Sequence, residues 1–103
     1  MYLQVLTTTS SAEAAEDLAS GIVDARLAAC VQLVGPIRSV YRWQGAVQVE
    51  QEWQCLAKTT TDRLDELTAH IKAHHSYDVP EIIATPIVGG SPEYLSWLRE
   101  ETG

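Results

Sequence analysis

Residues 30–60 read CVQLVGPIRSVYRWQGAVQVEQEWQCLAKTT, two β-rich runs joined by Gln44-Gly45. The first, Cys30 to Trp43, is rich in β-branched and aromatic residues. Its Gly35-Pro36 pair predicts a bulge or bend that confines the run to a sheet edge or a kink. In the second, Ala46 to Thr60, Val47, Val49, Trp53, Cys55 and Ala57 alternate with Gln48, Glu50, Glu52, Gln54 and Lys58. Only the swap at Gln51 and Leu56 breaks this period-two pattern of a strand. The two runs therefore predict one long hairpin. An arm from Val31 to Trp43 would span about 43 Å at ~3.3 Å per residue, longer than a globule of about 33 Å scaled from the chain length. Such an arm should protrude or wrap onto a neighbour.

Upstream of the hairpin, Tyr2 to Thr9 is short, β-branched and apolar and predicts a strand. Ser10-Ser11-Ala12-Glu13 then matches a capping box. In the helix that follows, Ala15, Leu18, Ile22 and Ala25 form an apolar stripe, with Gly21 inside it at a cost of about 1 kcal/mol relative to alanine. Downstream, Asp62 is the expected cap of a second helix, with Leu64, Leu67 and Ile71 on its buried face and its end near His74. Glu81 to Val88 predicts a fourth strand, which Gly89-Gly90 breaks. Ser91-Pro92-Glu93 starts a short C-terminal helix with a serine cap and proline at N1, and Tyr94, Trp97 and Leu98 are expected to face inward.

The order β-α-β-β-α-β with a trailing helix predicts an α+β, ferredoxin-like sandwich in a single domain, residues 1–103, with one antiparallel sheet covered by helices on one face. The bare sheet face and the overlong hairpin both call for burial by another copy of the chain, so an obligate homo-oligomer is expected.

Fourteen acids against seven Lys and Arg give a formal net charge of −7, which repels nucleic acid and anionic membranes and concentrates cations at the surface. Neither nucleic acid nor membrane is therefore an expected partner. No apolar run approaches the ~18 residues of a membrane span. The first residues lack a basic n-region followed by a long apolar stretch, so a cytoplasmic protein is expected. In that reducing compartment Cys30 and Cys55 read as two buried thiols rather than a disulfide.

The polar chemistry concentrates at His74-His75-Ser76-Tyr77-Asp78-Val79-Pro80-Glu81, between the second helix and the fourth strand. Adjacent His74 and His75 diverge too far to chelate one ion together, whereas His70 and His74 form an i, i+4 pair that could hold copper, nickel or zinc. Glu81 could complete a site with His75 or act as a general base, or simply be solvated. There is no C-x-x-C, H-E-x-x-H or G-x-S-x-G, and an enzyme is not expected. Tyr41-Arg42-Trp43-Gln44-Gly45 clusters aromatics at the hairpin tip, either as an anchor on a neighbour or as an aromatic pocket to which Lys58 adds an anion contact.

Taken together, residues 26–31 (Arg-Leu-Ala-Ala-Cys-Val), 41–45, Lys58-Thr59, His74-His75-Ser76-Tyr77 with Pro80-Glu81, and residues 94–98 (Tyr-Leu-Ser-Trp-Leu) closely resemble the CutA divalent-cation tolerance family. The resemblance covers nearly the whole chain. It implies a ferredoxin-like protomer in a tight trimer similar in architecture to PII signal-transduction proteins, with a role in tolerance to copper and other divalent cations. By matching position it makes His74, His75, Tyr77 and Glu81 site candidates, and Cys30, Tyr41, Trp43 and Lys58 candidates for the cleft between subunits; Tyr77 is also a cleft candidate. His70 stands on spacing alone. The chain departs from the family at Leu6-Thr7-Thr8-Thr9, where some members carry a cysteine, and at Ser76, where proline is common. These departures imply weak binding of copper or another divalent cation. A PII-like sensor binding a small organic ligand in the intersubunit clefts is the alternative that the resemblance leaves open.

Overall fold

The computed structural model describes residues 1–103. Its elements run β1 (Tyr2–Thr9), α1 (Ala12–Asp24), β2 (Cys30–Trp43), β3 (Ala46–Thr60), a 3-10 turn (Thr61–Arg63), α2 (Leu64–His74), β4 (Ile83–Ile87) and α3 (Pro92–Thr102). The sheet order is β2-β3-β1-β4, with every neighbouring pair antiparallel. Both helical crossovers therefore skip a strand, as the ferredoxin-like reading requires.

The period-two pattern decides which sheet face is buried. Val5 on β1 and Ala57 on β3 pack with Leu18 and Ile22 of α1 and Leu67 and Ile71 of α2. Leu3, Thr7, Cys55 and Thr59 lie on the same face by register and are buried there too. On the opposite face Leu56 lies between Leu6 and Gln32 in the ladder, and Leu6 in turn pairs Ile83. No α1 or α2 residue covers this second face, and Val34 and Ile83 are exposed on it.

Several local expectations change. The α1 cap is Ser11, whose hydroxyl accepts from the Ala14 N–H at 3.0 Å. Ser10 falls one residue too early, and the position three after Ser11 is Ala14, which has no side chain to reach back. Ala25 is the exposed C-cap, and Ala19 joins the buried stripe instead. Asp62 does not cap α2: a 3-10 turn intervenes, Arg63 holds the N-cap position without a side-chain bond, and Asp62 is exposed. β4 begins at Ile83, two residues after Glu81, and ends at Ile87 because that is the stretch paired to β1. In α3, Ser91 caps and Pro92 starts the helix as expected, but only Leu98 of the three inward candidates is buried, while Tyr94 and Trp97 stay about 40% exposed.

The hairpin forms as read. Gln44 (φ 50°) and Gly45 (φ 81°) are both left-handed, the combination of a two-residue type I′ turn whose twist matches the strands. β2 is an edge strand, and its register passes from Val34 opposite Gln54 to Ile37 opposite Glu52, so Gly35 and Pro36 together oppose Trp53. A Cβ on residue 35 would overlap the Trp53 indole, which explains glycine there. The arm gives the molecule extents of 44 × 24 × 22 Å. Val40, Val47 and Val49 along it are all more than half exposed.

Candidate metal-binding and interface residues

α2 ends at the candidate histidines. The His70 and His74 rings, one helical turn apart, stack with centroids 4.1 Å apart and planes tilted by 24°. The His74 Nδ1–H donates to the His70 carbonyl at 2.8 Å. This fixes the tautomer and leaves His74 Nε2 with a free lone pair, the arrangement seen behind metal-ligating histidines. Desolvation, and then the neighbouring His74, hold the His70 imidazolium below its usual pKa.

His75 is different. Its Nε2–H donates to the Thr8 carbonyl at 2.7 Å, and its Nδ1 accepts from the Tyr77 N–H at 3.1 Å. Both ring nitrogens are thus engaged in holding the loop against the end of β1. Glu81 stands exposed before β4. As the side chains rest, no three His, Cys, Asp or Glu groups gather closely enough to hold an ion.

The cleft candidates separate into groups. Tyr41 and Trp43 lie at the hairpin tip, each about 40% exposed. Cys30 and Lys58 lie at the opposite end of β2 and β3, directly paired in register. Eleven to thirteen residues of strand, about 36–43 Å, separate Cys30 from that tip. A single protomer cannot bring the two groups together. Cys30 is half-buried rather than buried and its sulfur contacts the Tyr94 hydroxyl at 3.4 Å, while Lys58 Nζ donates to Gln32 Oε1. The Trp97 ring lies beside that of Tyr94 at 5.5 Å.

Tyr77 bridges to the arm. Its hydroxyl donates to Glu52, which is only 7% exposed although the alternation had placed it outward with the other polar residues of β3. Burial, the bond to Glu52 and the nearby carboxylates raise the Tyr77 phenol far above its ordinary pKa. Tyr41 is raised by desolvation and then by Glu50 and Glu52. Glu52 and Gln32 escaped the sequence reading as partners of Tyr77 and Lys58, and Tyr94 was read only as an inward-facing helix residue, because each contact depends on a residue far away in sequence.

Residues 3–101 match the family described as CutA1 divalent ion tolerance protein. The chain belongs to that family. Membership places it among divalent-cation tolerance proteins. The divalent-cation tolerance protein CutA of Thermus thermophilus is 52% identical over 99 residues, which span 96% of either chain. The chloroplastic protein CutA of Arabidopsis thaliana is 49% identical over 98 residues; they span 95% of this chain but 54% of that protein, about half its length. The solved structure of the divalent cation tolerance protein from Thermus thermophilus superposes over 100% of both chains with a TM-score of 0.97 at 50% identity. The ferredoxin-like fold of the CutA1 family is thereby established for the chain.

Proposed function

We propose that the chain is a divalent-cation-binding protein that acts as a homotrimer and takes copper(II) or a similar borderline cation weakly through imidazole. The observation that carries this reading is the His74 ring, whose Nδ1–H is held by the His70 carbonyl while Nε2 stays free at the end of α2. The net charge of −7 favours cations at the surface. Imidazole suits copper, nickel and zinc. With one committed histidine and no thiolate nearby, affinity belongs in the micromolar range, about −8 kcal/mol.

The trimer is supported by the exposed valines of the arm, the open part of the sheet face around Val34 and Ile83, and the separation of Tyr41 and Trp43 from Cys30 and Lys58, which only another copy can close. Calorimetric titration of the metal-free protein with Cu(II), Zn(II) and Ni(II), with mass measured by light scattering, tests both parts. Saturable uptake at a fixed ratio per chain that His74→Ala abolishes, in a particle of three chains, is expected. Unchanged affinity in His74→Ala removes the ligand assignment, and a monomer removes the assembly.

A second reading, a PII-like sensor of a small organic ligand, is favoured by Tyr94 and Trp97, which present exposed aromatic area beside the Cys30–Lys58 pair. Thermal stabilisation by aromatic or carboxylate metabolites, and not by cations, would select it.

A further inference from the structure

The ends of β3 and α3 meet at a pocket of about 320 Å³, lined by Thr60, Asp62, Arg63, Arg99, Thr102 and Gly103 and by no apolar residue. Thr59 donates its hydroxyl to the Leu27 carbonyl on the face covered by α1 and α2, so by strand alternation Thr60 faces the other way, toward α3. Thr60 is 4% exposed, and its hydroxyl is left without a partner, since Thr61 rather than Thr60 bonds the Met1 carbonyl. Two guanidiniums flank it. Arg63 donates through Nε to the Thr102 carbonyl at 2.7 Å and through Nη1 to Glu66, which leaves Nη2 free. Arg99 donates through Nε to the hydroxyl of Tyr2, the register partner of Thr60, and lies 5.3 Å over the Tyr2 ring. Neither Nη of Arg99 has a partner, and Arg99 makes no ion pair, the two salt bridges of the molecule being Arg26–Glu101 and Arg63–Glu66.

The geometry points to an anion site in this pocket, in which the free Nη groups of Arg63 and Arg99 and the Thr60 hydroxyl bind the oxygens of a small phosphate-bearing ligand. A guanidinium presents its N–H donors as a rigid fork that matches an oxyanion, and it is weakly hydrated. Both forks are held from behind through Nε, so little side-chain freedom is left to lose on binding. Thr102 joins the two, because its carbonyl accepts from Arg63 and its hydroxyl donates to the Arg99 carbonyl at 3.3 Å. The wholly polar lining offers nothing to an apolar ligand. The volume lies at the lower end of the ~300–1,000 Å³ of small-molecule sites. Asp62 is the acidic side chain of the lining and stands exposed, while Glu66 engages Arg63 from outside it. Two guanidiniums therefore face one carboxylate there, a local reversal of sign in a chain of net charge −7.

The test is calorimetric titration of the whole metal-free protein with pyrophosphate and, separately, with citrate, at low ionic strength where charge contacts are least screened. Arg99→Gln, Arg99→Lys and Thr60→Val are compared with Lys72→Gln, the same loss of charge at an exposed residue in the last turn of α2, outside the pocket. Arg63 is left in place because its Nε also ties the start of α2 to α3. Wild type and Lys72→Gln are expected to take up one pyrophosphate per chain with equal affinity, and citrate more weakly. Arg99→Gln is expected to bind pyrophosphate at least about tenfold more weakly, the scale of one lost charge-assisted hydrogen bond. Arg99→Lys keeps the charge without the fork and should stay weaker than wild type. Thr60→Val, nearly the same in shape, should weaken binding at an unchanged melting temperature, which separates loss of the site from misfolding. No saturable uptake by wild type, or wild-type affinity in both Arg99→Gln and Thr60→Val, would overturn the site. Equal weakening in Lys72→Gln would reduce the effect to net charge and overturn it as well. Citrate binding as tight as that of pyrophosphate would overturn the phosphate assignment.

Discussion

The Tyr77 hydroxyl donates to the Glu52 carboxylate at 2.9 Å and so ties the loop after α2 to β3. Glu52 is nearly buried, and a buried carboxylate stripped of its donor loses a hydrogen bond worth about 1.5–3 kcal/mol. Tyr77→Phe is therefore expected to lower the stability by about 2 kcal/mol, read as a lower urea midpoint at unchanged slope.

The same bond has a pH signature. Burial, the bond to Glu52 and the nearby carboxylates raise the Tyr77 phenol, and the contact with Cys30 followed by burial raises Tyr94 to about 12. An unfolded tyrosine loses its proton near pH ~10, so above that pH the folded chain retains protons that the unfolded chain has released. The stabilisation is complete below pH ~10 and falls as pH rises, for Tyr94 between about 10 and 12. Tyr77→Phe and Tyr94→Phe should each flatten the alkaline loss of stability. An unchanged slope in both would show that these phenols are not what resists ionisation.

The two cysteines should react unequally. Cys55 is buried against the Ala15 carbonyl, and desolvation pushes its thiol up to about 11. Cys30 is only half-buried, at the edge of the sheet. Since the thiolate is the reactive form, a neutral-pH alkylating reagent followed by mass spectrometry should leave Cys55 unmodified until the protein is unfolded. Modification of Cys55 at the rate of Cys30 in the folded state would contradict this burial.

Thr7 carries a buried hydroxyl with no hydrogen-bond partner, on β1 directly across the ladder from Cys55. An unsatisfied buried hydroxyl costs about 1–3 kcal/mol, and valine has nearly the same shape without it. Thr7→Val is expected to raise stability by about 1 kcal/mol, measured as a higher melting temperature. A lower one would mean that the oxygen is satisfied in solution, by an internal water for example.

The fold was legible wherever a local period or a turn residue sets the backbone. Gln44-Gly45 and the alternation at Cys55, Ala57 and Lys58 act over a few residues and form as read, and the apolar stripe of α1 does so at Ala15, Leu18 and Ile22, with Ala19 in place of Ala25. The cap at Ser11 and the start of β4 at Ile83 moved by one or two residues, because pairing and packing, rather than residue type, decide such ends. The site was less legible. Two adjacent histidines look alike in a string, yet the carbonyl of Thr8, 67 residues away from His75, engages that ring, while His74 bonds within its own helix. Glu52 sits in the polar set of an alternating strand, and only the fold shows that Tyr77 covers it.

The arm itself supplies the last prediction. Val40 and Val49 face each other across the hairpin beyond the body of the molecule, 66% and 56% exposed. Within one protomer, lysine at either position would extend into water and cost little. In the proposed trimer the same positions lie against a neighbour, where an unpaired buried ammonium is strongly unfavourable. Val40→Lys/Val49→Lys is accordingly expected to leave the circular dichroism of the protomer unchanged while shifting the light-scattering mass from three chains to one. If the mass stays at three chains, the arm is not what ties the subunits together, and the bare sheet face around Leu6, Val34, Leu56 and Ile83 must bury the contact instead.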